Sequence, residues 1–163
     1  MDAQTLLREF EAQNIKRLSP DYEVWELQES GWPFDTKAKH IQGLKEQTLK
    51  LALSLEKQSY LDYSENPQDD GVPGNWEKTE NGLWVVPKAN DILESFIKFL
   101  YLGNWSLYVG NRLLESKNFP NVFSSEPEQI INFVDANKLD MLVGSFHDDN
   151  PWRIVFSSAL LQK

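Results

Sequence analysis

Cysteine is absent from this 163-residue chain, and histidine occurs only twice. The first absence excludes a disulfide scaffold, thiol chemistry and thiolate-held zinc. The second leaves little from which to build a metal centre, which wants three or four ligands. Long apolar runs are also missing. The most apolar stretches, Leu83 to Pro87 and Phe96 to Leu102, fall far short of the roughly 20 residues a bilayer span needs. The N-terminus, MDAQTLLREFEAQ, meets an acid at once and carries no apolar core, so a signal peptide is not expected. Nor is there a G-x-S-x-G elbow, a phosphate-binding glycine loop, an H-E-x-x-H pair or an EF-hand loop. Binding rather than catalysis is therefore expected, with no cofactor and no metal.

What is present is acid. Lysine and arginine total 16 against 25 aspartates and glutamates, for a net charge of −9. Phosphate recognition needs a basic face, so neither nucleic acid nor an anionic membrane is expected as a partner. A basic protein partner is favoured instead, because long-range attraction speeds encounter. With 40% hydrophobic and 25% charged residues the chain reads as globular rather than disordered. Its length suits one domain, residues 1–163, large enough to fold without crosslinks, and a cytoplasmic location is the expectation.

Periodicity supplies the elements. Residues 4 to 17 read as a helix with Leu6, Leu7 and Phe10 on one face, ended by Ser19-Pro20. Val24, Trp25 and Leu27 suit a short strand. The clearest helix runs from Thr36 to Leu61, where Ile41, Leu44, Thr48, Leu51 and Leu55 build one stripe and the lysines lie mostly off it. GLWVVP reads as a strand stopped at Pro87, and residues 90 to 102 as a buried helix. NWSLYVGNRLLES reads as a hairpin turning at Gly110-Asn111, with Trp105, Leu107, Val109 and Leu114 on one face. Ser125 to Glu128 looks like a helix start, with Ser125 capping, Pro127 in the first turn and Glu128 reaching back. Ile130, Ile131 and Val134 then face inward. The expected fold is α+β: a mainly antiparallel sheet with two β-hairpins in the C-terminal half, packed by about four helices.

The stretch His147-Asp148-Asp149 resembles a ligand set, but its flanks alternate as strands do. Pairing Phe146 with Trp152 places Leu142, Phe146, Trp152, Ile154 and Phe156 on one face and leaves residues 147–151 as a five-residue turn. The histidine thus reads as a turn residue.

Residues 62 to 80, DYSENPQDDGVPGNWEKTE, change character, with two prolines, two glycines and a cluster of acids. They read as the longest loop. Six acids there, Asp62, Glu65, Asp69, Asp70, Glu77 and Glu80, face one lysine, a net −5 within the total of −9. Trp76 lies among them. It suits either an exposed binding anchor rimmed by carboxylates or a residue folded back to pin the loop. These seven residues form the candidate partner-binding surface. The most specific expectation is an immunity-type inhibitor of a basic protein or toxin. Two alternatives are a carbohydrate- or small-ligand-binding domain that uses its tryptophans, and a small hydrolase with dispersed catalytic residues.

Overall fold

The computed structural model describes residues 2–13, 15–18, 23–27, 36–63, 76–87, 93, 105–112, 114, 125–145 and 152–162. Four helices and eight strands have defined bounds among them. In chain order these are α1 (Ala3–Ala12), β1 (Lys16–Arg17), β2 (Val24–Leu27), α2 (Thr36–Ser54), β3 (Gln58–Tyr63), β4 (Glu77–Lys78), β5 (Trp84–Val86), β6 (Trp105–Gly110), α3 (Pro127–Ala136), β7 (Leu139–Ser145), β8 (Trp152–Phe156) and α4 (Ser158–Leu161). The strands form one sheet in the order β1-β2-β8-β7-β6-β3-β5-β4, and every neighbouring pair is antiparallel. The architecture is the expected α+β. None of the described helices is long and apolar enough to cross a membrane.

Apart from the exposed edge strands β1 and β4, both faces of the sheet carry buried apolar side chains. On the first, Trp25, Trp152, Ile154, Met141, Val143, Trp105, Leu107, Leu61 and Trp84 meet Leu6 and Phe10 of α1, Ile41, Leu44 and Leu49 of α2, and Leu160 of α4. On the second, Val24, Val155, Leu142, Tyr108 and Tyr60 meet Ile130, Ile131 and Val134 of α3. Strands buried on both sides lose the polar–apolar alternation that reveals register in a half-exposed sheet.

That loss explains the slip in the last hairpin. β7 and β8 do pair, but through Ser145↔Trp152, Val143↔Ile154 and Leu142↔Val155, one residue away from the expected register. A one-residue slip exchanges the faces, so Leu142 lies on the second face and Val143 joins Ile154 on the first. Residues 146–151, with His147 and its two aspartates, lie outside the described residues.

Helix ends also moved. α1 starts where Asp2 accepts the Thr5 N–H at 2.8 Å, and it stops at Ala12 rather than residue 17. The next positions on its stripe are Gln13 and Asn14, which bring nothing apolar to the core. The Ile15 N–H closes on the Phe10 carbonyl at 3.0 Å, and Lys16–Arg17 become an edge strand. α2 stops at Ser54, not Leu61, because the steps beyond Leu55 would land on Gln58, Ser59 and Asp62. Gln58–Tyr63 instead alternates as β3, with Leu61 inward on the first face and Tyr60 on the second. Within α2, Lys45 is not off the stripe: it is fully buried, its ammonium 5.3 Å from the centre of the Trp152 ring.

α3 is capped one residue later than expected. Glu126 is the cap residue, Pro127 opens the helix, and Gln129 rather than Glu128 reaches back to accept the Glu126 N–H at 3.1 Å. β6 is formed, but β3 and β7 take both of its edges. No edge remains for residues 112–115 as its hairpin partner, and Leu114 packs in the second cluster rather than beside Trp105. Of the helix expected over 90–102, Leu93 alone is described; it is helical and packs against the first cluster, and the other residues lie outside the description.

Candidate functional site

The acidic segment is more structured than its composition suggests. Asp62 and Tyr63 complete β3, and Glu77–Lys78 form β4 at the edge of the sheet. β4 and β5 make a tight hairpin. Its turn is closed by the Thr79 N–H on the Leu83 carbonyl at 2.7 Å and the Gly82 N–H on the Thr79 carbonyl at 2.9 Å. The Thr79 hydroxyl accepts the Leu83 N–H at 3.0 Å and bonds the Asn81 side chain, whose amide reaches the Leu114 carbonyl at 3.0 Å. Gly82 sits at φ 86°, a conformation open to glycine and costly for most side chains. The expectation of a loop over residues 62–80 misses this hairpin, although Asn81-Gly82 between WEK and LWVV carries a turn signal for it.

The hairpin holds Glu77 and Glu80 exposed. Lys78 points to the other face, its ammonium 5.5 Å from the Trp84 ring centre. Strand alternation thereby puts Glu77 and Lys78, both exposed, on opposite faces of β4. Trp76, immediately before β4, is only 5% exposed and belongs to the first-face core. The exposed-anchor reading of Trp76 is corrected: apolar area of that size is worth more in the core than in water, and the residue pins the segment to the sheet. Glu65, Asp69 and Asp70 lie outside the described residues, as does Trp32. The five described tryptophans, Trp25, Trp76, Trp84, Trp105 and Trp152, all pack in that one cluster.

Asp62 leads to a feature that the sequence reading missed. On the second face the register aligns one residue from each of five strands: Glu26↔Arg153, Arg153↔Gly144, Gly144↔Ser106 and Ser106↔Asp62. This polar row runs beside the apolar row Val24, Val155, Leu142, Tyr108 and Tyr60. Arg153 Nε donates to Glu26 Oε2 at 3.0 Å, with the two side chains 16% and 9% exposed. Ser106, Asp62 and Arg153 are half-buried, and Gly144 is buried.

Electrostatics tie the row to its neighbour. Burial holds the Tyr108 phenol well above its ordinary range; the nearby Asp62 carboxylate raises it further, and a hydrogen bond with Ser106 partly opposes them. Burial also raises Tyr60. No single stretch of sequence carries the row, since its members lie at 26, 62, 106, 144 and 153 and meet only through strand register.

Among the described residues no group of three or more histidines and acids could hold a metal ion. No family model, curated protein or solved structure matches the chain.

Proposed function

We propose that this chain is an acidic protein-binding domain, in its most specific form an immunity-type inhibitor of a basic protein or toxin, acting in the cytoplasm without catalysis. The observation that carries the reading is the β4–β5 hairpin. It displays Glu77 and Glu80 to solvent from a braced turn, with Lys78, also exposed, on the opposite face of the strand from Glu77 and over Trp84. Neither glutamate contributes to a buried core, and a rigid support lowers the ordering cost of binding. By register Glu77 and Asp62 lie on the same face, two strands apart, roughly 12 Å from one another at ordinary strand spacing. The net charge of −9 adds long-range attraction for a cationic partner. The ligand-binding alternative loses support, because the five described tryptophans are committed to packing.

The test is to recover partners at low salt with the immobilised chain and measure both rate constants. Glu77→Lys with Glu80→Lys should slow association at least several-fold, an effect that fades as salt approaches the regime where charges are screened within about 8–10 Å. A recovered partner that binds this double variant at the wild-type rate would move the interface elsewhere.

A further inference from the structure

The tip of the β4–β5 hairpin holds a reactive pair that the binding role of its glutamates does not use. Asn81 is the one asparagine of the chain that glycine follows. In such a pair the glycine backbone nitrogen can close on the asparagine side-chain carbon through a five-membered ring, because glycine has no side chain to obstruct the approach. Asparagine is thermolabile for this reason. Asn81 and Gly82 are both half-buried, so water reaches them.

Each group that would react is engaged in a bond. The Gly82 N–H, the nucleophile once its proton is lost, donates to the Thr79 carbonyl at 2.9 Å. The Asn81 amide nitrogen, the leaving group, donates to the Leu114 carbonyl at 3.0 Å. The Asn81 side-chain oxygen accepts from the Thr79 hydroxyl, which itself accepts the Leu83 N–H at 3.0 Å. A hydrogen bond from the neutral N–H disfavours its ionisation. A side chain held through both its oxygen and its nitrogen is not free to swing its carbon onto the backbone.

We propose that Asn81 is a self-modification site, held silent by the closed turn and released when the turn opens. In the open turn the Gly82 nitrogen bonds to the Asn81 side-chain carbon. The amide leaves as ammonia, carrying the proton that the Gly82 nitrogen gives up. Water then adds to one of the two ring carbonyls and opens the ring. One route gives an aspartate at position 81; the other gives an isoaspartate, whose backbone runs through the former side-chain carbon. No oxidant or reductant is involved. Either product adds a carboxylate to the hairpin of Glu77 and Glu80 and removes the donor to the Leu114 carbonyl. The isoaspartate also lengthens the turn against the Glu77↔Val85 and Lys78↔Trp84 pairing.

The experiment incubates the full chain in mildly alkaline buffer and follows the tryptic peptide Thr79–Lys88 by mass spectrometry, relative to unincubated protein, for amide-to-acid conversion. A synthetic peptide spanning Lys78–Lys88 is the open reference. It should convert at least about tenfold faster than the folded chain, and the chain unfolded in urea should match it, because reaction from a closed turn waits on local opening. Thr79→Val deletes the bracing hydroxyl and keeps the side-chain shape. It should speed conversion of the folded chain several-fold and raise hydrogen exchange at the Gly82 amide with it. Asn81→Asp installs one product directly and should also raise Gly82 exchange, which keeps the role of the bonds testable if Thr79→Val does not fold. Conversion of the folded chain at the peptide's rate would overturn the gate. Another asparagine converting faster than Asn81 in urea would overturn the site, and unchanged Gly82 exchange in both variants would overturn the role of the bonds. No readout involves a partner, so the site and the hairpin's binding role stand or fall separately.

Discussion

The two faces of the sheet are built to different rules. The first is covered by α1, α2 and α4 and collects the five described tryptophans around one buried lysine. The second is covered, among the described elements, by α3 and divides into an apolar row beneath that helix and a polar row beside it. Strand periodicity alone treats the faces as equivalent, because both carry large side chains. What separates them is where the polar positions fall once five strands are in register. The first face is nearly all apolar, while the second keeps an arginine, an aspartate and a serine half-buried beside its apolar row.

The largest expected break in this comparison comes from the second face. Arg153→Ala leaves Glu26 without its ion-pair partner in a poorly hydrated place, and removal of one member of a buried pair costs about 3–5 kcal/mol, here toward the lower end because Arg153 keeps some solvent contact. Replacing both, Glu26→Leu with Arg153→Met, should restore most of the loss. Urea unfolding measures all three proteins; a double variant as unstable as Arg153→Ala would show that the ion pair is not what the single change breaks.

A second comparison sharpens the assignment of faces. Ile154→Ala should cost roughly 2–5 kcal/mol as a large-to-small core change. Its double-mutant cycle with Val143→Ala should show coupling on the order of 0.5–3 kcal/mol, since the two are paired neighbours on one face. The cycle with Leu142→Ala should be nearly additive, because Leu142 points to the opposite face. Coupling that appeared with Leu142 and not with Val143 would reinstate the slipped register.

The smallest effect is one of pH. Tyr108 is held above its ordinary value of about 10 in the folded protein. A phenol raised on folding stabilises the native state below its unfolded value, and that contribution is lost as pH climbs past 10 toward the folded value. Tyr108→Phe has no phenol to ionise. It should therefore unfold less readily than wild type above pH 10, while losing the Ser106 hydrogen bond, worth about 1 kcal/mol, at neutral pH. Alkaline melts of the two proteins that stay parallel from pH 8 upward would argue against a buried Tyr108.

Much of the fold was legible where one residue's neighbours in sequence were also its neighbours in space. The stripes of α1, α2 and α3 are local, and Ile41, Leu44, Thr48 and Leu51 are all buried as their spacing requires. The stop of β5 before Pro87 was equally plain, while β2 was readable only as one option for an ambiguous stretch. The ends of α1 and α2 were misread because helix propensity continues past the point where the apolar stripe runs out. The hairpin at residues 105–115 was misread because turn chemistry at Gly110-Asn111 cannot report that β3 and β7 already occupy both edges of β6. The acids of the candidate site were visible as composition, and Glu77 and Glu80 are exposed as a binding face requires. Trp76 carried no mark to distinguish anchor from core, since a tryptophan in a proline- and glycine-rich stretch suits both.

By itself the sequence determined the class of the molecule: acidic, free of cysteine, α+β, with helix stripes set by a 3.6-residue period and strands set by β-forming side chains. Tertiary structure alone decided register, because both sheet faces carry large apolar side chains and a slip of one residue leaves the local pattern of the last two strands almost equally satisfied. It decided the burial of Lys45 and Trp76 through neighbours far along the chain. It also decided the polar row, whose five members are scattered over 128 positions, 26 to 153, and become one surface only because antiparallel ladders align them about 5 Å apart.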